Sequence, residues 1–121
     1  MSCNTTTGDL RPAQYNVQIW RNDSWAQTFS ITSNDVAVDL SGCTILIQVR
    51  TKPTSTDVML SLATGTSITI GGVGKNEITL NKVVDIAAGN YVYDMNVTFP
   101  SGLVKTYIYG SFLVQEDITR L

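Results

Sequence analysis

In the run Gly89-Asn90-Tyr91-Val92-Tyr93-Asp94-Met95-Asn96-Val97-Thr98-Phe99-Pro100-Ser101-Gly102, large apolar residues hold the alternate positions Tyr91, Tyr93, Met95, Val97 and Phe99. Asn90, Asp94, Asn96 and Thr98 fill four of the five alternate places from 90 to 98, with Val92 in the fifth. This period of two belongs to a strand with one face on a core and the other in water. Pro100 presets a φ suited to a turn, and Gly102 tolerates a positive one, so the chain reverses there and resumes as a partner strand from Leu103 to Val114. The segment Ala87 to Val114 therefore reads as a strand hairpin with a turn-like approach.

The same alternation recurs upstream. Tyr15, Val17 and Ile19 alternate with Asn16 and Gln18 up to Trp20, and Trp25, Phe29 and Ile31 share one side of a strand from Trp25 to Thr32. Cys43 to Thr51 places Cys43, Ile45, Ile47 and Val49 inward and Thr44, Gln48 and Arg50 outward, with Leu46 breaking the outward set. Shorter strands are expected at Val58 to Leu62, Ser67 to Ile70 and Asn76 to Leu80. They are separated by Lys52-Pro53-Thr54-Ser55-Thr56-Asp57 and by Gly71-Gly72-Val73-Gly74-Lys75, both turn chemistry. Lys82 to Ala88 is the one candidate for a short helical turn. Met1 to Gln14 is polar and aperiodic, and reads either as a flexible arm or as a clasp that orders on a neighbouring subunit.

Seven or eight short strands with almost no helix argue an antiparallel β-sandwich or barrel. Ala87-Ala88-Gly89-Asn90-Tyr91 narrows this to a sandwich of the immunoglobulin kind, in which a tyrosine after a glycine ties a corner to a late core strand. The expected fold is all-β: one immunoglobulin-like antiparallel β-sandwich from Tyr15 to Leu121, with one short helical turn and the Met1 to Gln14 arm in front. Tyr93 takes the place where antibody domains carry their second cysteine, and no cysteine pair joins the sheets.

Composition bounds the function. A chain of 121 residues, 43% hydrophobic and 15% charged, can bury a core of its own. A formal charge of −2 supplies no basic field for nucleic acid. No apolar run approaches the roughly 20 residues that span a bilayer, and Met1 to Thr7 lacks the pattern of a signal peptide, which predicts a protein made in a cytoplasm with Cys3 and Cys43 as free thiols. The chain has no histidine, which removes the commonest general base and the triads that rely on it. Asp23, Asp39, Asp85, Asp94, Glu116 and Asp117 read as solvated turn and strand charges rather than as a catalytic pair. Gly71 to Gly74 lacks the helix that follows a phosphate-binding loop. No catalytic, cofactor or metal residues are expected, and the protein is not expected to be an enzyme.

The surplus of apolar residues on faces expected to be wet is more informative. On the last strand Val104, Ile108, Phe112 and Val114 share the expected core face with Gly110, leaving Tyr107, Tyr109 and Leu113 outward. With Leu46 and Val92 on neighbouring strands, the expected interface is Leu46, Val92, Tyr107, Tyr109 and Leu113. Trp20 and Trp25 carry the competing reading of a sugar-stacking platform, against the simpler one of core and edge packing.

Asn22-Asp23-Ser24-Trp25, Phe29-Ser30-Ile31-Thr32, Val38-Asp39-Leu40-Ser41-Gly42 leading to Gln48-Val49-Arg50, and Gly89-Asn90-Tyr91-Val92-Tyr93-Asp94 together resemble the small β-sandwich virion proteins of tailed bacteriophages. With Gly102, Gly110, Phe112, Val114 and the closing Asp117-Ile118-Thr119-Arg120, the pattern is similar to the N-terminal module of phage upper baseplate proteins and runs from about Val17 to Arg120. Asp39 to Gly42 and Gly89 to Asp94 are its most specific pieces. The resemblance implies a virion structural protein, assembled in the host cytoplasm as an adaptor of a baseplate or tail-fibre attachment or as a capsid decoration. Its implied partners are other virion proteins and further copies of itself. The alternative is a carbohydrate-binding or host-adhesion module, with a glycan as partner.

Overall fold

The computed structural model describes the backbone of residues 2–5 and all of residues 12–118. The remainder of the expected arm, and Thr119 and Arg120 of the closing motif, lie outside the described residues. Among the described residues eleven strands follow in order: β1 (Ser2–Thr5), β2 (Ala13–Gln14), β3 (Val17–Trp20), β4 (Ser24–Ser33), β5 (Val36–Ala37), β6 (Thr44–Arg50), β7 (Leu60–Ala63), β8 (Ile68–Gly71), β9 (Glu77–Val83), β10 (Gly89–Thr98) and β11 (Val104–Gln115).

They form two sheets. One has the order β1-β4-β9-β8 with β5 also on β4; the other runs β2-β11-β10-β6-β7 with β3 also on β11. The chain passes from one sheet to the other between β1 and β2, β3 and β4, β5 and β6, β7 and β8, and β9 and β10, which makes the β-sandwich expected from the sequence. The core lies between the sheets: Phe29 and Ile31 of β4 and Ile78 and Leu80 of β9 face Ile45, Ile47 and Val49 of β6, Met95 and Val97 of β10, and Phe112 of β11. Each set comes from alternate positions of its strand, so burial follows directly from the period of two.

An aromatic cluster packs across the two sheets within this core. The ring of Trp25 on β4 meets that of Tyr93 on β10 edge-on, with centroids 5.5 Å apart, and that of Phe112 on β11 at 5.0 Å. Trp25 Nε1 donates to Gln27 Oε1 at 3.0 Å, and Gln27 Nε2 donates to the Tyr15 hydroxyl at 2.6 Å, so the polar tips in this region have partners. Trp25 is therefore a core residue, and it makes no platform with Trp20, which is exposed at the end of β3.

The corner expected before β10 is present: the Tyr91 hydroxyl donates to the Ala87 carbonyl at 2.7 Å. The short helical turn expected over Lys82 to Ala88 is absent. Lys82 and Val83 end β9, and the rest of the segment crosses to the other sheet without helix, bending at Ile86 and Ala88. Val84 and Ile86 are both buried, a spacing of two that an extended chain satisfies and a single helical turn does not. Val84 is further held by its amide donating to the Asp23 carbonyl at 2.9 Å and its carbonyl accepting from Asn22 N at 2.6 Å.

Turn chemistry explains the remaining links. Asn34 and Asp35, between β4 and β5, both have positive φ, 52° and 63°, the requirement of a two-residue type I′ hairpin. At the β10–β11 turn, Gly102 N donates to the Phe99 carbonyl at 2.8 Å with Gly102 at φ 91°. The Gly71 to Lys75 stretch is the β8–β9 hairpin turn, closed by Lys75 N donating to the Gly72 carbonyl at 3.2 Å.

One register change corrects the sequence reading of β11. Met95 pairs with Ile108 and Asn96 with Thr106, so Tyr107 is an extra residue, a β-bulge. The strand resets there. Tyr107, expected outward, is buried at 4% exposure beside buried Ile108, while Val104, expected in the core, is 59% exposed.

Candidate binding face

The outer face of the six-stranded sheet is formed by the positions that alternate with the core set on β6, β10 and β11. Across these strands Leu46 lies opposite Asn96, and Asn96 opposite Thr106. Gln48 lies opposite Asp94, and Asp94 opposite Tyr109; Arg50 lies opposite Val92, and Val92 opposite Ser111. Leu113, one row further, lies opposite Asn90.

Of the expected interface, Leu46 and Tyr109 are exposed, at 37% and 42%, Val92 and Leu113 are half-buried, and Tyr107 is in the core. The four that remain outward do not touch as one apolar patch. Polar side chains stand between them in every row, because the outward positions of β6 and β10 also include Gln48, Arg50, Asp94 and Asn96.

These polar residues floor a trough of about 570 Å³. Pro53 of the β6–β7 loop borders one side, Gln14 and Asn16 at the β2–β3 junction border the other, and Tyr109 lines it as well. The floor is held from behind and beside. Arg50 Nη1 donates to the Ser55 carbonyl at 2.7 Å, which ties the loop to the strand, and Arg50 Nη2 donates to Gln48 Oε1 at 2.7 Å. The Thr106 hydroxyl donates to Asn96 Oδ1 at 2.7 Å, and Asn16 Oδ1 accepts from Ser111 N at 3.1 Å.

Asp94 is half-buried in this floor. Burial pushes its carboxyl above the ordinary aspartate range, and the positive charge of Arg50 pulls part of the way back. Chemically the trough offers one carboxylate, one guanidinium and several primary amides, a set suited to hydrogen-bonded recognition rather than to bond breaking. Sequence reasoning placed Gln48 and Asp94 correctly outward but did not gather them. The signal was present in the facing polar positions of two core strands, and it becomes a site only once β6 and β10 are known to be neighbours.

A second hollow lies beyond Tyr109, at the β10–β11 turn. Pro12, Leu103, Val104 and Thr106 line it together with Asp94, Lys105 and Tyr109, and Leu103 is 63% exposed. Val104 is presented here by the same bulge that buries Tyr107. The Lys105 ammonium lies 5.3 Å from the centre of the Tyr107 ring, covering the buried tyrosine from the open end.

No protein-family model matches the chain, and no curated protein matches it. Among solved structures it is similar to CopC from Methylosinus trichosporium OB3b, at 15% identity over 69% of this chain and 72% of that one, with a TM-score of 0.41.

Proposed function

We propose that this domain is a structural subunit of a bacteriophage virion, an adaptor of a baseplate or tail-fibre attachment or a capsid decoration, acting by protein–protein assembly and without catalysis. In this reading it is made in the host cytoplasm, joins other virion proteins and associates with copies of itself. The observation that carries the reading is the apolar hollow at the β10–β11 turn. Leu103 and Val104, on either side of the start of β11, are both mostly exposed and share this hollow with Pro12 and Tyr109. A soluble domain gains nothing from keeping such neighbours wet, and burying them against a partner contributes roughly 25 cal/mol for each Å² of apolar surface removed from water. The sequence resemblance at Asp39 to Gly42 and Gly89 to Asp94 supports the choice of a virion.

The test is mass spectrometry of purified particles of the phage whose genome encodes the chain. The protein is expected in mature particles at a fixed copy number set by particle symmetry, and the double substitution Leu103→Ser with Val104→Ser is expected to deplete it there while the isolated domain stays folded. Particles that are complete and infectious without the protein overturn the reading.

A further inference from the structure

We propose that the trough across β6, β10 and β11 is a binding site for a neutral saccharide. The argument starts from the two charges. Arg50 and Asp94 are close enough for the guanidinium to lower the carboxyl pKa, yet they form no ion pair, and Asp94 has no hydrogen-bond partner for its carboxylate among the described residues. A ligand lying over them meets a donor and an acceptor side by side. An anion is repelled by Asp94 and a cation by Arg50. A hydroxyl group accepts from one and donates to the other, and adjacent hydroxyls on one ring do so in pairs.

The amides extend the pattern. Gln48 and Asn96 each use the carbonyl oxygen on a protein donor, Arg50 and Thr106 respectively, which leaves their N–H₂ groups as unspent donors beside Asp94. The Arg50 guanidinium, which can only donate, fixes the orientation of the Gln48 amide, and with Asn96 Oδ1 accepting from Thr106 the floor presents donors flanking one acceptor. Tyr109, Val92 and Pro53 add apolar surface for the C–H face of a sugar ring. Three adjacent strands at about 4.8 Å spacing give a floor of roughly 10–14 Å, the length of two to three pyranose rings. The volume falls in the ordinary range of small-ligand sites. The floor is carried on paired strands and pinned by the Arg50–Ser55 and Thr106–Asn96 bonds, so little freedom is lost on binding.

This site adjoins the Leu103–Val104 hollow, with which it shares Asp94 and Tyr109, and its argument does not rest on the virion reading. The experiment is titration of the purified protein with maltotriose, cellotriose, galactotriose, mannotriose and the trisaccharide of N-acetylglucosamine, with a uronic acid trisaccharide as charged control. Binding is read by calorimetry and by the side-chain amide NMR signals of Gln48 and Asn96. At least one neutral trisaccharide is expected to saturate one site below about 10 mM. Asp94→Ala and Tyr109→Ala are each expected to weaken it at least about tenfold, and the amide signals of Gln48 and Asn96 are expected to move with added sugar. Thermal unfolding of both variants separates loss of the site from loss of the fold. The proposal is overturned if no neutral trisaccharide saturates, if only the charged control binds, or if folded Asp94→Ala binds like the parent. It is equally overturned if the amide signals move with protein concentration instead of sugar, which would seat a second copy of this chain in the trough.

Discussion

The backbone carbonyl of Tyr15 occupies the space that a side chain at Gly110 would need: a β-carbon built there overlaps the Tyr15 carbonyl oxygen. That carbonyl is also the acceptor for the Tyr93 hydroxyl at 2.5 Å, and Tyr15 N donates to the Tyr109 carbonyl at 2.8 Å. The chain between β2 and β3 is thus pressed onto β11 at a point where only glycine fits. Gly110→Ala must push the Tyr15 segment away and lengthen both bonds, at a cost of about 1–3 kcal/mol by overpacking. Urea unfolding measures it, and an unchanged midpoint would mean that the Tyr15 segment sits farther from β11 than this geometry has it.

The Tyr91 hydroxyl contributes a separable term. Tyr91→Phe keeps the ring in the core and removes only the donor to the Ala87 carbonyl. A loss of about 0.5–1.5 kcal/mol is expected, the net value of one such bond. Because the bond ties the sheet crossover to β10, amide exchange from Val84 to Asn90 should speed up more than exchange in β4 or β6.

At the β4–β5 hairpin the strain runs the other way. Asp35 holds a left-handed φ of 63°, the second of two positive values in a type I′ turn. Asp35→Gly gives the Asn-Gly pair that this turn prefers and should stabilise the domain by a few tenths to about 1 kcal/mol, despite glycine's greater freedom in the unfolded chain. A lower urea midpoint for Asp35→Gly would show that the aspartate side chain itself supports the turn.

The residues on β4, β6 and β10 were legible because each strand alternates cleanly: Trp25, Phe29 and Ile31, then Ile45, Ile47 and Val49, then Tyr91 through Val97, all buried as their spacing requires. Tyr107-Ile108-Tyr109 was not, since three large residues in a row fit either register and a bulge adds one residue without a local composition of its own. The Lys82 to Ala88 segment misled for a related reason. Two adjacent valines and two adjacent alanines blur a period of two, and the crossover geometry that buries Val84 and Ile86 is tertiary. The trough depends on pairing between Gln48 and Asp94, which belong to strands far apart in the chain, so its residues were visible singly and not as a site.

Asp94 makes a pH-dependent prediction. Its folded-state pKa is raised, chiefly by burial, with Arg50 opposing. A carboxyl raised on folding favours the native state while protonated; that contribution is complete below the ordinary aspartate pKa and is lost as pH rises through the raised folded value. Asp94→Asn removes the penalty at neutral pH. The variant should therefore be more stable than the parent at pH 7, by no more than about 1 kcal/mol for a half-buried group, with the difference closing in acid. Paired urea curves at neutral and acid pH decide it. A less stable variant at pH 7 would mean that the attraction of Arg50 outweighs desolvation.

The bulge in β11 separates two neighbouring tyrosines. Tyr107 is buried, with Lys105 over its ring, and burial raises the pKa of its hydroxyl first, with Cys43 adding to the rise. Tyr109 is 42% exposed on the outer face. Tyr107→Ser removes a large core side chain and should cost about 3 kcal/mol or more, in the range of aromatic-to-small core changes. Tyr109→Ser touches only the surface, and its effect should stay within about 0.5 kcal/mol. In a strand without the bulge, strict alternation puts both tyrosines outward and makes the two substitutions equally mild. The difference between the two urea midpoints therefore reads the register directly, and two mild effects would return Tyr107 to the outer face beside Tyr109 and Leu113.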